Sequence, residues 1–155
     1  MLRELLIAFA IVAVCGVIHA VTLVVFAQFL LRRFSPVGTT ALRLQALVLV
    51  MVFGVVILLS LVEAGVWAGL YYFRGLFPDF ETALYFSLGT YSTIGYGDVV
   101  LPQRWRLLGG IEGISGVLLC GLSAAFVFAI LNTLFQSRLQ RSQTSQRLSK
   151  LTVLE

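Results

Sequence analysis

Charge is scarce in this sequence. Only 12% of its 155 residues are Asp, Glu, Lys or Arg, against about 25% in an ordinary soluble domain. A chain this poor in charge has too little polar surface to hydrate a soluble globule. Histidine occurs once, at His19, and cysteine twice, at Cys15 and Cys120. That is too few for a metal-ligand cluster, and both cysteines lie within apolar runs, as buried reduced thiols would rather than a disulfide framework. No span carries Arg or Lys at every third position, which excludes a voltage-sensing helix. No catalytic constellation and no cofactor motif is visible, so neither an enzyme nor a bound cofactor is expected. The basic residues sit beside apolar runs rather than in a stripe with interleaved aromatics, which argues against nucleic-acid binding. Internal repeats of the kind that build secondary transporters are missing as well.

Long apolar runs fill the space that charge leaves. The apolar share is 59% and the mean hydropathy is +0.99, which predicts an all-α integral membrane protein. The first run covers residues 5–31 and is interrupted only by His19, Thr22 and Gln28. As a helix it reaches about 40 Å, enough to cross a hydrocarbon core of about 30 Å. It is too long for the apolar region of a signal peptide, about 7–15 residues, and is expected to be a retained span. Arg32, Arg33, Pro36 and Gly38 break the pattern. The second run covers 41–73, with Glu63 in its last third, and Pro78-Asp79 marks the next break. The piece that follows, 80–92, reaches only about 20 Å as a helix. It cannot cross, but it can enter and turn back where protein or a wet cavity protects its end. The third run, 107–135, holds Gly109, Gly110, Gly113, Gly116 and Gly121. Gly116 and Gly121 are candidates for a hinge or for close helix packing, and the sequence leaves both open. Residues 136–155 form a polar tail in which Leu139, Leu148, Leu151 and Leu154 suggest an incomplete helical apolar face.

Flanking charge sets the expected orientation. Arg32, Arg33, Arg43, Arg138, Arg141, Arg147 and Lys150 fall on one side, against Arg3, Arg74, Arg104 and Arg106 on the other. The positive-inside rule puts the first loop and the C-terminus in the cytoplasm and the N-terminus outside. A multi-pass protein of a cell membrane is expected, with its small size and lack of sorting signals pointing to a bacterial inner membrane.

Between the second and third runs stands Thr93-Ile94-Gly95-Tyr96-Gly97-Asp98. A dehydrated cation needs a dense set of oxygen ligands, and successive backbone carbonyls turned to one axis supply them. The candidate ligands are the carbonyls of Thr93, Ile94, Gly95 and Tyr96, with the Thr93 hydroxyl at the inner end. Such alignment needs unusual backbone angles at alternate residues, which Gly95 and Gly97 adopt at little steric cost. Ile94 and Tyr96 would then point away and pack against surrounding protein. Upstream, Asp79 suits an N-cap and Glu81 the positive end of a helix dipole. That helix would end near Ser92, with its carbonyl end favouring a cation.

The stretch Thr90-Tyr91-Ser92-Thr93-Ile94-Gly95-Tyr96-Gly97-Asp98 resembles the potassium-channel signature Thr-x-x-Thr-x-Gly-Tyr-Gly-Asp. The resemblance covers residues 42–135. It implies an outer helix, a re-entrant pore helix, a selectivity filter at 93–97 and an inner helix, assembled four-fold around potassium as the permeant ion. One filter segment per chain makes a homotetramer in membrane lipid the natural assembly. The resulting division is an extra N-terminal span and loop at 1–40, a pore domain at 41–135 and a cytoplasmic tail at 136–155. The chain departs from the resemblance around the filter. Many potassium channels carry an acidic residue where Gly89 stands, and a Trp pair where Tyr85 and Phe86 stand. Filter support is therefore expected from Thr90, Asp98, Tyr85, Phe86 and Glu112, with Glu112 facing the pore helix or filter loop as an ionised or protonated acid. Glu63 is read as structural, near the outer interface or paired with a polar neighbour, and His19 as a packing residue. Two other functions fit the same fold: a weakly selective cation channel, and a non-conducting accessory or sensor subunit.

Overall fold

The computed structural model describes residues 2–33 and 42–152. Helix α1 is Leu2–Arg33, α2 is Leu42–Phe73, α3 is Phe80–Tyr91 and α4 is Arg106–Thr152, with a short 3-10 turn at Gln103–Trp105 before α4. Among the described residues there is no strand. Three stretches are long and apolar enough to cross a membrane: Leu2–Arg33, Leu42–Phe73 and Gln103–Thr133. The expected all-α membrane fold is therefore observed, with α3 too short to cross and packed between α2 and α4. The break expected at Pro36 and Gly38 lies outside the described residues. So does Leu154, and the side chains of Leu139, Leu148 and Leu151 are likewise outside them. The backbone of α4 continues into the tail without interruption, as far as Thr152.

The start of α3 follows from local chemistry. Asp79 has extended backbone angles and accepts the Thr82 amide at 2.7 Å and the Thr82 hydroxyl at 3.0 Å. This N-cap stops α3 from extending backwards and satisfies one of its orphan amides. The same bonds, from the Thr82 amide above all, favour the ionised carboxyl and hold Asp79 below the usual carboxylate range. A lowered folded-state value means stabilisation that is present at neutral pH and lost as the pH falls through that value, below about 4. Asp79→Ala is expected to lower the thermal midpoint in detergent by a few degrees at pH 7, with the gap to the parent closing in acid. A constant gap down to pH 2 would show that the carboxylate cap is not responsible.

Packing divides into two layers. In the layer containing α3, Ala8 and Cys15 of α1 and Ala64, Trp67, Ala68 and Tyr71 of α2 surround Ala83 and Tyr91 of α3 and Leu108 of α4. Tyr71 meets Phe77 edge-on at 6.2 Å and Phe86 at 5.4 Å between ring centroids. In the other layer Leu30, Val48 and Val52 pack with Phe26, Phe126 and Ile130. Without water between helices, close backbone approach is what small residues contribute in a membrane. Gly109, Gly113 and Gly116 recur at helical spacing on α4 and carry α3 along one smooth face. A Cβ at 109 would meet the Phe86 ring at 3.4 Å, and one at 113 the Thr90 carbonyl oxygen at 3.5 Å. One at 116 would fall well under 3.0 Å from the Tyr91 carbonyl oxygen. Gly121 has nothing within 4 Å. The cysteines differ: Cys15 is buried as expected, but Cys120 is exposed.

Candidate functional site

Helix α3 ends at Tyr91, and the loop after it folds back on the helix's own last carbonyls. Ser92 donates its amide to Leu88 O at 3.1 Å and its hydroxyl to the same oxygen at 2.6 Å. The Thr93 amide reaches Thr90 O at 3.0 Å and the Gly95 amide reaches Gly89 O at 3.0 Å. Orphan carbonyls at a helix C-terminus need partners, and here the loop itself supplies them. Its backbone then alternates, with φ positive at Thr93 (61°), Gly95 (54°) and Gly97 (81°). The need for glycine at 95 and 97 is legible in the sequence. Thr93 is not, and it is the only non-glycine residue with positive φ among the described residues. A β-branched residue in that region is strained. Its hydroxyl donates to Ser92 O at 2.7 Å.

The side chains around this loop come from several elements. Tyr96 stacks on Tyr85 at 6.3 Å with an interplanar angle of 10°. The Tyr85 hydroxyl donates to Asp98 Oδ2 at 2.7 Å, and Asp98 Oδ1 accepts the Val99 amide at 3.0 Å. These bonds, the Tyr85 hydroxyl first, hold the Asp98 carboxyl below its ordinary range. Ile94 is 58% exposed and Tyr96 70%, so the packing expected around both is not completed within a single chain. Thr90 meets the loop through its backbone carbonyl, which accepts the Thr93 amide. Phe86 packs with Tyr71 and Phe77 and also borders a cleft behind the loop, lined by Tyr85, Gly89, Thr90 and Tyr96. At Gly89 a Cβ would meet nothing within 4 Å.

Two acids lie fully buried behind the loop. Glu112 of α4 accepts the Tyr71 hydroxyl on Oε2 at 2.7 Å, and its Oε1 pairs with the Ser87 hydroxyl. Glu112 thus faces α3, one of the two placements expected for it. Ser87 also donates to Ala64 O at 2.7 Å. A hydroxyl has one proton to give, and a carbonyl has none. A protonated Glu112 satisfies the whole set: it donates to Ser87, Ser87 donates to Ala64, and Tyr71 donates to Glu112. The neutral form also avoids the cost of about 3 kcal/mol attached to a charge at membrane depth.

Glu63 of α2 is the second acid. His19 Nδ1 of α1 lies 2.9 Å from its Oε1, and the Tyr91 hydroxyl of α3 donates to its Oε2. Ser123 of α4 lies 3.2 Å from His19 Nε2. One polar set thus joins all four helices. Glu63 pairs with polar neighbours, one of the two placements expected for it, and is 0% exposed. Nothing in Tyr91 or Ser123 as sequence marks them as its partners. The signal that was available is that His19 and Glu63 are the ionisable residues deepest inside the first two runs.

The family model for ion channels matches residues 46–133, more than half of the chain. The chain belongs to the ion channel family. In this ion channel the matched stretch begins inside α2, includes α3 and the 93–98 loop, and ends at the limit of the third membrane-capable stretch; α1 lies outside it. Comparison with curated proteins and with solved structures gives no match.

Proposed function

We propose that this ion channel is a passive, potassium-selective pore. Four copies of the 93–97 segment would surround the axis, with carbonyls of Thr93, Ile94, Gly95 and Tyr96 as ligands for the permeant potassium ion. The observation that carries the proposal is the left-handed φ at Thr93, Gly95 and Gly97, directly after a short helix. Alternating the sign of φ turns successive carbonyls toward one side while the chain stays extended. That geometry suits an array of oxygen ligands and has no other evident use at a strained threonine.

A homotetramer is supported by what one chain leaves undone. Ile94 and Tyr96 stand exposed, and one 93–97 segment cannot surround an ion. A groove bordered by Thr93, Gly110, Ile114, Val117 and Leu118 runs from the loop along α4, where an adjoining copy would pack. Residues 41–135 then form the pore domain, 1–40 an added span with its loop, and 136–155 a cytoplasmic tail. Arg104 pairs with Glu4 at 2.9 Å, which sets the start of α1 on the same side as the segment after the filter. With the distribution of basic residues, this supports an outside N-terminus in a cell membrane.

The test is a reversal potential. Purified protein in planar bilayers, with potassium on one side and sodium on the other, is expected to reverse close to the potassium equilibrium potential. Reversal near zero would replace the proposal with a weakly selective cation channel. Intact tetramers without current in any of a series of pH, voltage and calcium conditions would favour an accessory subunit.

A further inference from the structure

We propose that α1 is part of the mounting of the filter, with His19, Glu63 and Ser123 acting as positioning residues that hold Tyr91 and, through it, Thr93. The inference rests on the potassium-channel reading of the 93–97 segment.

The geometry makes Tyr91 a pivot. It is the last residue of α3 and stands two residues before the strained Thr93. Its backbone carbonyl is pressed against α4 at Gly116. Its hydroxyl donates to Glu63 Oε2, Glu63 Oε1 lies 2.9 Å from His19 Nδ1, and His19 Nε2 lies 3.2 Å from Ser123 Oγ. Tyr91 is thereby held from α4 through its main chain and from α1 and α2 through its side chain. A small shift of Tyr91 must be passed on to Thr93, because only Ser92 separates them and Ser92 is itself fixed to Leu88.

The composition of the set argues for a positioning role over simple packing. His19, Glu63 and Ser123 are all at most 3% exposed. An ionisable side chain at such depth is costly and marks function more often than stability, since an apolar set of similar volume would pack at least as well. A hydrogen-bonded chain adds direction, which apolar contacts do not. Ser, His and Glu in this order also occur at nucleophilic sites, but burial this deep leaves no access for a substrate. A second link points the same way. Glu4, near the start of α1, pairs with Arg104, beyond the other end of the filter loop. The helix outside the family match therefore meets one flank of the filter segment directly, at Arg104, and reaches the other through Glu63 of α2.

The experiment measures potassium-to-sodium permeability ratios on tetramers isolated by size exclusion. The variants are His19→Leu, His19→Asn, Tyr91→Phe, Ser123→Ala and the double variant His19→Leu/Tyr91→Phe. His19→Leu and Tyr91→Phe are each expected to lower the ratio by about tenfold, the size of a coupling carried by one hydrogen-bonded set. The double variant is expected to be no worse than the more severe single one, because both cut the same chain. His19→Asn, which keeps an N–H near the Nδ1 position, is expected to restore most of the ratio. Parental ratios in Tyr91→Phe and Ser123→Ala would overturn the proposal, and so would additive losses in the double variant. If His19→Leu fails to assemble while Tyr91→Phe and Ser123→Ala select normally, the set serves stability alone and the proposal is wrong. An unselective parent protein would instead overturn the potassium reading itself, an outcome distinct from a selective parent with unaffected variants.

Discussion

Gly116→Ala is expected to dislodge α3 from α4 and abolish ion flux. The new Cβ would lie well under 3.0 Å from the Tyr91 carbonyl oxygen, 2.9 Å from the carbonyl carbon and 3.2 Å from its Cα. All three are backbone atoms, so no side-chain rotation relieves the overlap. Either α4 or the end of α3 has to move. Overpacking of this kind costs typically about 1–3 kcal/mol and occasionally more, and a backbone-on-backbone clash belongs at the upper end. The displaced atoms precede Thr93 by two residues, so conduction should fail even where the protein still folds. Gly121→Ala is the control, because nothing lies within 4 Å of that position. There the usual preference of a helix interior for alanine, about 0.5–1 kcal/mol, should make the variant as stable as the parent or slightly better. Thermal unfolding in detergent and liposome flux, measured side by side, check both. A Gly116→Ala protein with the parental midpoint and flux would show that the tight approach of α4 to Tyr91 is not required. A Gly121→Ala protein of parental stability but altered open probability would assign a hinge to 121, a role the space around it permits.

Legibility in the sequence differs sharply between levels. The membrane class and the number of spans follow from one-dimensional properties, apolar run length against bilayer thickness, and these are found as expected at Leu2–Arg33, Leu42–Phe73 and Gln103–Thr133. The bounds of α3 follow from an N-cap at Asp79 and a loop motif, both local. The glycines of the loop declare themselves, because positive φ has few other solutions. Thr93 does not, since its conformation is imposed by carbonyls four and three residues upstream, which capture the amides on either side of Ile94. Packing across helices is less legible still. Gly109, Gly113 and Gly116 are visible as small residues, yet only their approach to Phe86, Thr90 and Tyr91 separates packing from flexibility. The buried polar sets are the extreme case. Glu63 and Glu112 are conspicuous in apolar runs, but their partners, Tyr91, Tyr71 and Ser87, are ordinary membrane residues from distant parts of the chain. A partner fixed by three-dimensional proximity alone leaves no periodic trace.

Glu112 provides the second large effect, and its pattern across substitutions is sharper than its size. Truncation by Glu112→Ala removes the acceptor of the Tyr71 hydroxyl and the partner of Ser87 in one step. Ser87 keeps Ala64 O at 2.7 Å, whereas Tyr71, with 0% of its surface exposed, is left with a buried donor. An unmade buried hydrogen bond costs about 1–3 kcal/mol, and the cavity adds about 24 cal/mol for each Å³ that fails to collapse. Together these predict a loss of about 2–5 kcal/mol and a void behind α3. Glu112→Gln has a different consequence. If the carboxyl is protonated, as the single proton on Ser87 implies, a glutamine replaces it group for group. Its carbonyl accepts from Tyr71 and its amide donates to Ser87, which still donates to Ala64. The glutamine variant should then stay within about 1 kcal/mol of the parent and keep its permeability ratio. An ionised Glu112 would give a larger loss, since the glutamine would keep both partners but forfeit their charge assistance, about 1 kcal/mol at each bond. Thermal midpoints and reversal potentials of the two variants therefore report the proton directly. A glutamine variant as damaged as the alanine variant would place a negative charge behind α3, and the proposed support of the 93–97 loop would have to be rebuilt around it.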